Sequence, residues 1–349
     1  MNNKKKILHI LNTSTYSGAE NVVCQIITMF KNDCDIEMIY CSPNGAIADV
    51  LAERNIAYSP VNLLNKRELS KVIDHYRPDV IHAHDIRASV LAALCHKRIK
   101  LICTIHGNDT KMRTFCAKSI STLIFIKEAS HIFWVSKSCL EDFFFKKIAM
   151  KKSSILYNVI DKNEIYERAR QDRNCYEYDA IFLGRLSHPK NPEKLLDVIK
   201  IACHAKKNLK VAIVGTGVFE NRIRERIKNE NLKHHVYMLG FIPNPMKILS
   251  CSKVMLLASD YEGTPMCVLE AMALGVPVVS TPTDGVKDLI DNDITGFLSS
   301  DTNKLAEKFI EYVSDSNLRE RLSKNIVEKF DTVNNLHEYK AILKKQYGD

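Results

Sequence analysis

Along the first half of the chain, short runs of aliphatic and β-branched residues recur between amphipathic stretches of helical length. Lys6–Leu11, Ile36–Cys41, Asp79–Ala83, Lys100–Ile105, His131–Val135 and Ser153–Leu156 read as strands. The loop at Ser17-Gly18 leads into a helix through about Phe30, and Lys66–Tyr76 and Ile86–His96 read as helices. Strands alternating with helices predict βαβ crossovers and a parallel sheet. Residues 161–177 are polar and carry no strand signal. The alternation then restarts, with strands expected at Asp179–Leu183, Lys210–Val214, Val236–Leu239, Val254–Ala258, Val276–Ser280 and Gly296–Leu298. Helices are expected at Asn191–Lys206 and Phe219–Glu230, and two more helical patterns close the chain. The pattern predicts an α/β protein with two doubly wound parallel-sheet domains, 1–165 and 166–333. The final helix, within 334–349, is expected to cross back to the first domain. Ligands bind at the carboxyl ends of such strands, so two tandem domains are expected to face each other across a deep cleft.

Composition narrows the class. The 349 residues are 46% hydrophobic and 26% charged, as in an ordinary globular protein rather than a disordered or collagenous one. Eleven cysteines lie scattered without a CxxC pair, and no secretory apolar segment follows Met1. They read as reduced, mostly buried thiols of a cytoplasmic protein. A membrane span needs roughly 18 uninterrupted apolar residues. The best stretch, Ala271–Thr283, is shorter and contains Gly275 and Pro277. The net charge of +9 is uneven: residues 1–170 hold 25 Lys and Arg against 17 Asp and Glu, and the remainder is nearly balanced. The first half is therefore expected to meet something anionic.

The loops after strands carry the chemistry. Asp260-Tyr-Glu-Gly-Thr-Pro-Met-Cys-Val-Leu-Glu270 is the strongest segment. Thr264 as N-cap and Pro265 at the first helical position predict a helix start, and Gly275 predicts its end. The helix is apolar on every face except Glu270, so that carboxylate is buried and must find donors. It is either a structural acceptor or a carboxylate kept for ligand hydroxyls. N–H groups at this helix start, with Gly263 allowing close approach and Glu262 just before it, suit a phosphate flanked by hydroxyls. Gly184-Arg-Leu-Ser-His-Pro-Lys-Asn191 ends another strand and presents Arg185 and Lys190. A guanidinium fork and an ammonium there suit a diphosphate, whereas alone they would read as two solvated cations.

Val214-Gly-Thr-Gly217 is a weaker signal, a GxG with Gly215 at its turn. Glu220 replaces the third glycine of a dinucleotide fingerprint. Tyr16-Ser-Gly-Ala-Glu20 places Ser17 and Gly18 between a strand and a helix. His82-Ala-His84-Asp85 and His106-Gly-Asn-Asp109 end two strands, and His82, His84 and His106 together have metal-ligand chemistry. That reading competes with a core role for His82 and a loop role for His84. Asp33-Cys-Asp35 lies on the wrong sheet edge for a cation on a diphosphate, and Asp291-Asn-Asp293 reads as a turn, so no metal is assigned. Phe143-Phe-Phe-Lys-Lys147 with Lys151-Lys152 is either an aromatic-basic membrane face or a core helix followed by solvated lysines. No nucleic-acid module is recognisable, so no nucleic-acid partner is expected.

Taken together these residues resemble the family 4 glycosyltransferases, retaining enzymes of the GT-B fold with two Rossmann-like domains. The resemblance spans nearly the whole chain: Ser17-Gly-Ala-Glu20, His82-Ala-His84, Thr104-Ile-His-Gly107, Val135-Ser136, Tyr157-Asn158, Gly184-Arg-Leu with Lys190-Asn191, Val214-Gly-Thr-Gly217, Gly240-Phe241, Gly275-Val-Pro-Val-Val and Thr295-Gly-Phe. Its most specific part is the E-x7-E pair Glu262 and Glu270. Val159 stands where many relatives have Gly, in an interdomain loop. The resemblance implies a transfer of a hexosyl or N-acetylhexosaminyl group from a nucleotide-diphosphate sugar, a UDP-sugar by preference, with no metal cofactor. The acceptor would be a lipid-linked glycan of a cell-surface polysaccharide, met at the anionic cytoplasmic membrane surface through the basic first domain.

It further implies that Arg185 and Lys190, with Gly184 and Gly215 shaping their loops, neutralise the diphosphate. Glu270 would hold the ribose. Glu262 with the backbone of Gly263, Thr264, Pro265 and Met266 would hold sugar and phosphates. His106 would sit at the anomeric carbon, Gly18 would serve both donor and acceptor, and Ser17 and His84 would contact the acceptor. The catalytic set is thus His106, Arg185, Lys190 and Glu262. A metal-dependent hydrolase on His82, His84 and His106, and a non-catalytic nucleotide-binding scaffold, are the alternatives.

Overall fold

The computed structural model describes residues 4–107 and 110–348, so Asn108 and Asp109 of the expected His106 loop lie outside the described residues. The chain divides into two compact units, residues 1–159 with 336–349, and residues 160–335.

The first unit is built on a parallel seven-stranded sheet. Its strands are β1 (Lys5–Ile10), β2 (Ile36–Pro43), β3 (Tyr58–Val61), β4 (Val80–His84), β5 (Lys100–Ile105), β6 (His131–Trp134) and β7 (Ser153–Ile155). Their order is β3-β2-β1-β4-β5-β6-β7. The order reverses between β1 and β4, where ligands enter doubly wound sheets. β3 has no counterpart in the sequence reading, because Ser59 and Pro60 break its apolar run. It is an edge strand, where a proline can sit without costing a ladder bond.

The second unit carries β8 (Ala180–Leu183), β9 (Val211–Val214), β10 (Val236–Gly240), β11 (Val254–Leu256), β12 (Val278–Ser280) and β13 (Gly296–Leu298). The order is β10-β9-β8-β11-β12-β13, again parallel, with its reversal between β8 and β11. The polar stretch 161–177, which carries no strand signal in the sequence, holds a helix, Lys162–Gln171, capped by Asp161. Only Ile165 and Ala169 of it are buried, too thin an apolar stripe to read as a helix from pattern. Three helices rather than two close the chain: Thr302–Ser314, Ser316–Val333 and Leu336–Gly348.

The last of these packs on the first unit, as the sequence predicts. Tyr339, Leu343 and Tyr347 are buried, and the Tyr347 ring lies against Phe30 with centroids 5.8 Å apart. Lys340 and Lys344 pair with Asp33, and Lys344 also reaches Asp35 at 3.4 Å. Bonding to Lys340 above all holds the Asp33 carboxyl below its ordinary range. The first Asp-x-Asp triplet therefore anchors a helix. In the second triplet, Asp291 pairs with Lys329 at 3.0 Å and Asp293 with Lys308 at 2.7 Å. No helix among the described residues is long and apolar enough to cross a membrane.

Candidate active site

Two loops flank the reversal point of the second sheet. The first leaves β8 at Gly184 and ends in Asn191, whose side chain caps the helix Pro192–Ala205 by accepting from the Lys194 N–H. The second leaves β11 and enters the helix Met266–Ala273. They are tied together: the Asp260 N–H donates to the Pro189 carbonyl, and Asn191 Nδ2 donates to Asp260 Oδ1, both at 2.9 Å. Beneath these bonds Lys190 Nζ donates to Glu262 Oε1 at 2.5 Å, and Ser259 Oγ donates to the same oxygen at 2.6 Å. Burial works against the Lys190 charge, but the Glu262 carboxylate outweighs it and holds the ammonium above its ordinary range. Arg185 is exposed and makes no ion pair among the described residues. The structure thus brings Lys190 and Glu262 into contact at the sheet edge, beside an unpaired guanidinium.

The helix behind them begins one residue later than the sequence places it. Pro265 occupies the cap position, extended, and Met266 is the first helical residue. Pro265 has no N–H, so the row of donors expected from Gly263 to Met266 is interrupted there. The ladder of the helix starts when the Val268 N–H bonds the Pro265 carbonyl at 3.0 Å, which leaves the Met266 and Cys267 N–H groups ahead of it. Glu270 is buried within this helix, and burial pushes the neighbouring Cys267 thiol up to about 12. The chain leaves the helix through Gly275 at φ +69, the left-handed exit that glycine supplies.

Gly215 and Gly285 are demanded by close approach. Gly215 has φ +133, and a Cβ there would lie 2.0 Å from the Gly184 carbonyl oxygen. A Cβ on Gly285 would lie 1.3 Å from the Gly263 carbonyl oxygen. Gly285 sits in the one-turn helix Asp284–Lys287 that follows β12 and braces the peptide that enters the helix Met266–Ala273. Sequence reasoning missed it, although Asp284-Gly285 follows a strand as the other site loops do.

At the reversal point of the first sheet the chemistry is different. The helix Gly18–Phe30 starts after Ser17, whose Oγ donates to Glu20 Oε2 at 2.5 Å; Thr13 donates to the other oxygen of that buried carboxylate. Gly18 is exposed, and a Cβ there would meet nothing within 4 Å. Asp85 after β4 caps the helix Ile86–Cys95, accepting from Ala88 N at 2.9 Å and from Asn12 N at 3.1 Å. Burial raises its carboxyl to about 6, offset in part by those N–H bonds and reinforced by Glu20.

His84 is fully buried with both ring nitrogens engaged, Nε2 to His9 Nδ1 at 3.0 Å and Nδ1 to His106 Nε2 at 2.9 Å. This corrects the expectation that His84 touches an acceptor: it has no polar atom left to offer one. His82 is a core histidine, bonded to Tyr347 Oη at 2.8 Å and Thr104 Oγ1 at 2.7 Å. Among the described residues the imidazoles whose ligand atoms cluster are His9, His82 and His84, rather than the alternative set of His82, His84 and His106. His9 went unnoticed in the sequence, yet it shares a face of β1 with Ile7 and pairs in register with His82.

The relatives of the chain agree with this architecture. The family model described as Glycosyltransferase Family 4 matches residues 16–164, and that described as Glycosyl transferases group 1 matches residues 165–329. N-acetyl-alpha-D-glucosaminyl L-malate synthase of Bacillus anthracis is 26% identical over 82% of this chain and 79% of its own. UDP-Gal:alpha-D-GlcNAc-diphosphoundecaprenol alpha-1,3-galactosyltransferase of Escherichia coli is 24% identical over 97% of this chain and 96% of its own. The crystal structure of HepE from Anabaena in complex with UDP and glucose superposes with a TM-score of 0.85 at 18% identity, covering 99% of each chain. The chain belongs to the family 4 glycosyltransferases and is an enzyme of the GT-B fold. Neither the hydrolase nor the scaffold alternative is favoured by these matches.

Proposed function

We propose that the protein is a retaining glycosyltransferase that moves a hexosyl or N-acetylhexosaminyl group from a UDP-sugar to a lipid-linked glycan. The observation that carries the donor site is the tied pair of loops at the second reversal point, with Lys190 on Glu262 and Arg185 unpaired beside them. Breaking the sugar–phosphate bond builds positive charge on the sugar and a second negative charge on the terminal phosphate of the diphosphate. Arg185 and Lys190 oppose the latter from fixed positions, which is worth most where water is excluded. Glu270 takes the ribose hydroxyls, while Glu262 and the N–H groups of Gly263, Thr264 and Met266 take sugar and phosphate oxygens. His106 hydrogen-bonds the transferring sugar, and Ser17 and Gly18 lie on the acceptor side. These residues supply the charge stabilisation that a metal supplies elsewhere, so a metal cofactor is not part of the reading. The relative from Escherichia coli, named for a UDP-Gal donor and a diphosphoundecaprenol-linked acceptor, supports the choice of substrates.

The test is thermal shift with UDP-, GDP-, ADP- and TDP-sugars, without added metal, on wild type and Glu270→Ala. Stabilisation by UDP-sugars that disappears in the variant is expected. An equal shift in the variant removes Glu270 from the donor site.

The membrane part of the proposal rests on one surface of the first unit. Phe143 is buried against Trp134, so the Phe triplet is not a single apolar face. Phe144, Ile148 and Met150 are nevertheless exposed among Lys146, Lys147, Lys151 and Lys152. Such a surface binds anionic lipid at about 1 kcal/mol per basic residue, as a cytoplasmic enzyme working at the inner leaflet needs. Sedimentation with phosphatidylglycerol vesicles, but not phosphatidylcholine vesicles, and its loss in Phe144→Asp are expected. Equal sedimentation with both would remove the electrostatic argument.

A further inference from the structure

Three imidazoles of the first unit are hydrogen-bonded in series. His9 lies near the end of β1, His84 ends β4 and His106 follows β5. Parallel register sets His9 beside His82 and His84 beside Thr104. The ring pairs His9–His84 and His84–His106 are stacked, with centroids 5.3 and 5.2 Å apart. The contacts run His9 Nδ1 to His84 Nε2 and His84 Nδ1 to His106 Nε2. That leaves His9 Nε2 and His106 Nδ1 as the two ends, both covered and without a partner among the described residues.

A neutral imidazole has one N–H and one bare nitrogen. Burial keeps these rings neutral near pH 7: it lowers His9 to about 3, His106 to about 4 and His84 well below the ordinary value. Each contact needs one donor and one acceptor, so the three rings must share a tautomer. If every proton is on Nδ1, the chain ends in a bare nitrogen at His9 and an N–H at His106. If every proton is on Nε2, the orphan N–H is at His9 instead. His9 is fully buried inside the sheet, whereas the His106 ring is partly exposed at the strand edge, where a ligand can approach it. Both ends are covered in this structure, but an N–H at His9 can never meet an acceptor, whereas one at His106 can meet a ligand oxygen. A permanently orphaned N–H is rarer than a bare acceptor, so the first arrangement wins.

We infer that His9 and His84 are positioning residues that hold His106 as the Nδ1–H tautomer, so that His106 donates a hydrogen bond to an oxygen of the transferring sugar. With its Nε2 lone pair engaged by His84 and its Nδ1 protonated, His106 has no free nitrogen with which to accept a proton. The inference rests on the reading of His106 as a sugar contact. A metal on His9, His82 and His84 is the competing use of the cluster. Of their six ring nitrogens only His9 Nε2 is uncommitted, so a metal would break the bonds just described.

The test is a two-bond ¹H–¹⁵N correlation spectrum of the full-length ¹⁵N-histidine-labelled protein at pH 7, assigned by single substitutions. His9, His84 and His106 are expected to carry their protons on Nδ1. In His9→Phe the donor to His84 is gone, and His84 and His106 should show mixed tautomers while the buried Trp134 keeps its native fluorescence. Turnover should fall about tenfold, since a misaligned contact at the reacting centre is expensive. His9→Asn, whose amide can donate in place of Nδ1, should recover most of it. A bare Nδ1 on His106, an unchanged spectrum in His9→Phe, or zinc copurifying at one equivalent and lost from His9→Phe would overturn the inference. If the Nδ1–H tautomers are seen but His106→Ala keeps full activity, the reading of His106 as a sugar contact fails instead, and the positioning role falls with it.

Discussion

The two sheets reverse their strand order in the same way, yet the two reversal points hold opposite chemistry. In the second unit the edge between β8 and β11 carries formal charge: an ammonium on a carboxylate, with a guanidinium left over. In the first unit the edge between β1 and β4 carries neutral imidazoles in series, beside the Glu20 carboxylate held by Ser17 and Thr13 and the Asp85 carboxyl whose burial raises it to about 6, with no cation among these groups. The difference follows from what surrounds each edge. The second edge has polar loops that tie to each other and leave Arg185 in water. At the first edge the polar groups lie inside the sheet, where an unpaired charge is costly and the rings give up their protons instead. A cationic edge suits the diphosphate of a donor, and an edge of neutral imidazoles beside carboxylates suits sugar hydroxyls.

The most forceful way to break this comparison is to discharge the second edge. Arg185→Ala should lower turnover by about 10² to 10³, the cost of one fixed donor to a developing anion. Because Arg185 is exposed and makes no ion pair among the described residues, its loss should change stability by less than about 0.5 kcal/mol. Steady-state kinetics beside a melting curve separates the two effects. A variant that melts early while losing activity would show that Arg185 holds the loop rather than the substrate. Lys190→Ala is the less clean companion, since it also strands Glu262 without its partner.

A smaller effect should come from the brace under the same edge. Gly285→Ala puts a Cβ where the Gly263 carbonyl stands, and the loop must move to admit it. Overpacking of this kind costs about 1–3 kcal/mol. The sole tryptophan, Trp134, lies in the first unit, so the two units can be followed separately. Gly285→Ala should lower the helical melting transition by circular dichroism and weaken UDP-sugar binding, with the Trp134 transition unmoved. Unchanged donor binding would mean that the position of Gly263 does not matter to the site.

What the sequence revealed about these edges depended on how local each signal was. Arg185, Lys190, Glu262 and Glu270 sit in segments bounded by a strand on one side and a capped or proline-started helix on the other, and pattern alone locates such loops. The two-sheet architecture was readable for the same reason, because apolar runs buried on both faces punctuate the chain. β3 and the helix Lys162–Gln171 were not, the one broken by a proline at an edge and the other holding two buried apolar residues. His9 and Gly285 escaped because their meaning is tertiary. A histidine within a strand shows its role only when the neighbouring strand brings His82 and His84 beside it. Gly285 matters because a distant peptide lies 1.3 Å from where its Cβ would be. The shared tautomer of His9, His84 and His106 likewise depends on three strands in register, which no window of sequence contains.

The slightest perturbation tests what a buried charge costs at the first edge. The Asp85 carboxyl lies at about 6 against an ordinary value of 3.8, so the folded state holds its proton more tightly than the unfolded chain does. Between about pH 4 and 6 this group makes the unit less stable as pH rises, and the penalty is complete above 6. At 1.36 kcal/mol per pK unit the penalty is at most about 3 kcal/mol. The buried imidazoles of His9 and His106 act in the other direction: their folded values near 3 and 4 make stability fall as pH drops below about 6.5. Asp85→Asn removes the carboxyl's titration but keeps only one oxygen to accept from Ala88 and Asn12, a loss of about 1–2 kcal/mol. The two changes nearly cancel at pH 7, so the Trp134 unfolding midpoint should move little there. Across pH 4 to 6, however, the opposing slope is gone, and the variant's midpoint should climb more steeply with pH than the wild type's. Parallel curves would mean that Asp85 is already ionised at its ordinary pKa, and that the first edge tolerates charge as readily as the second.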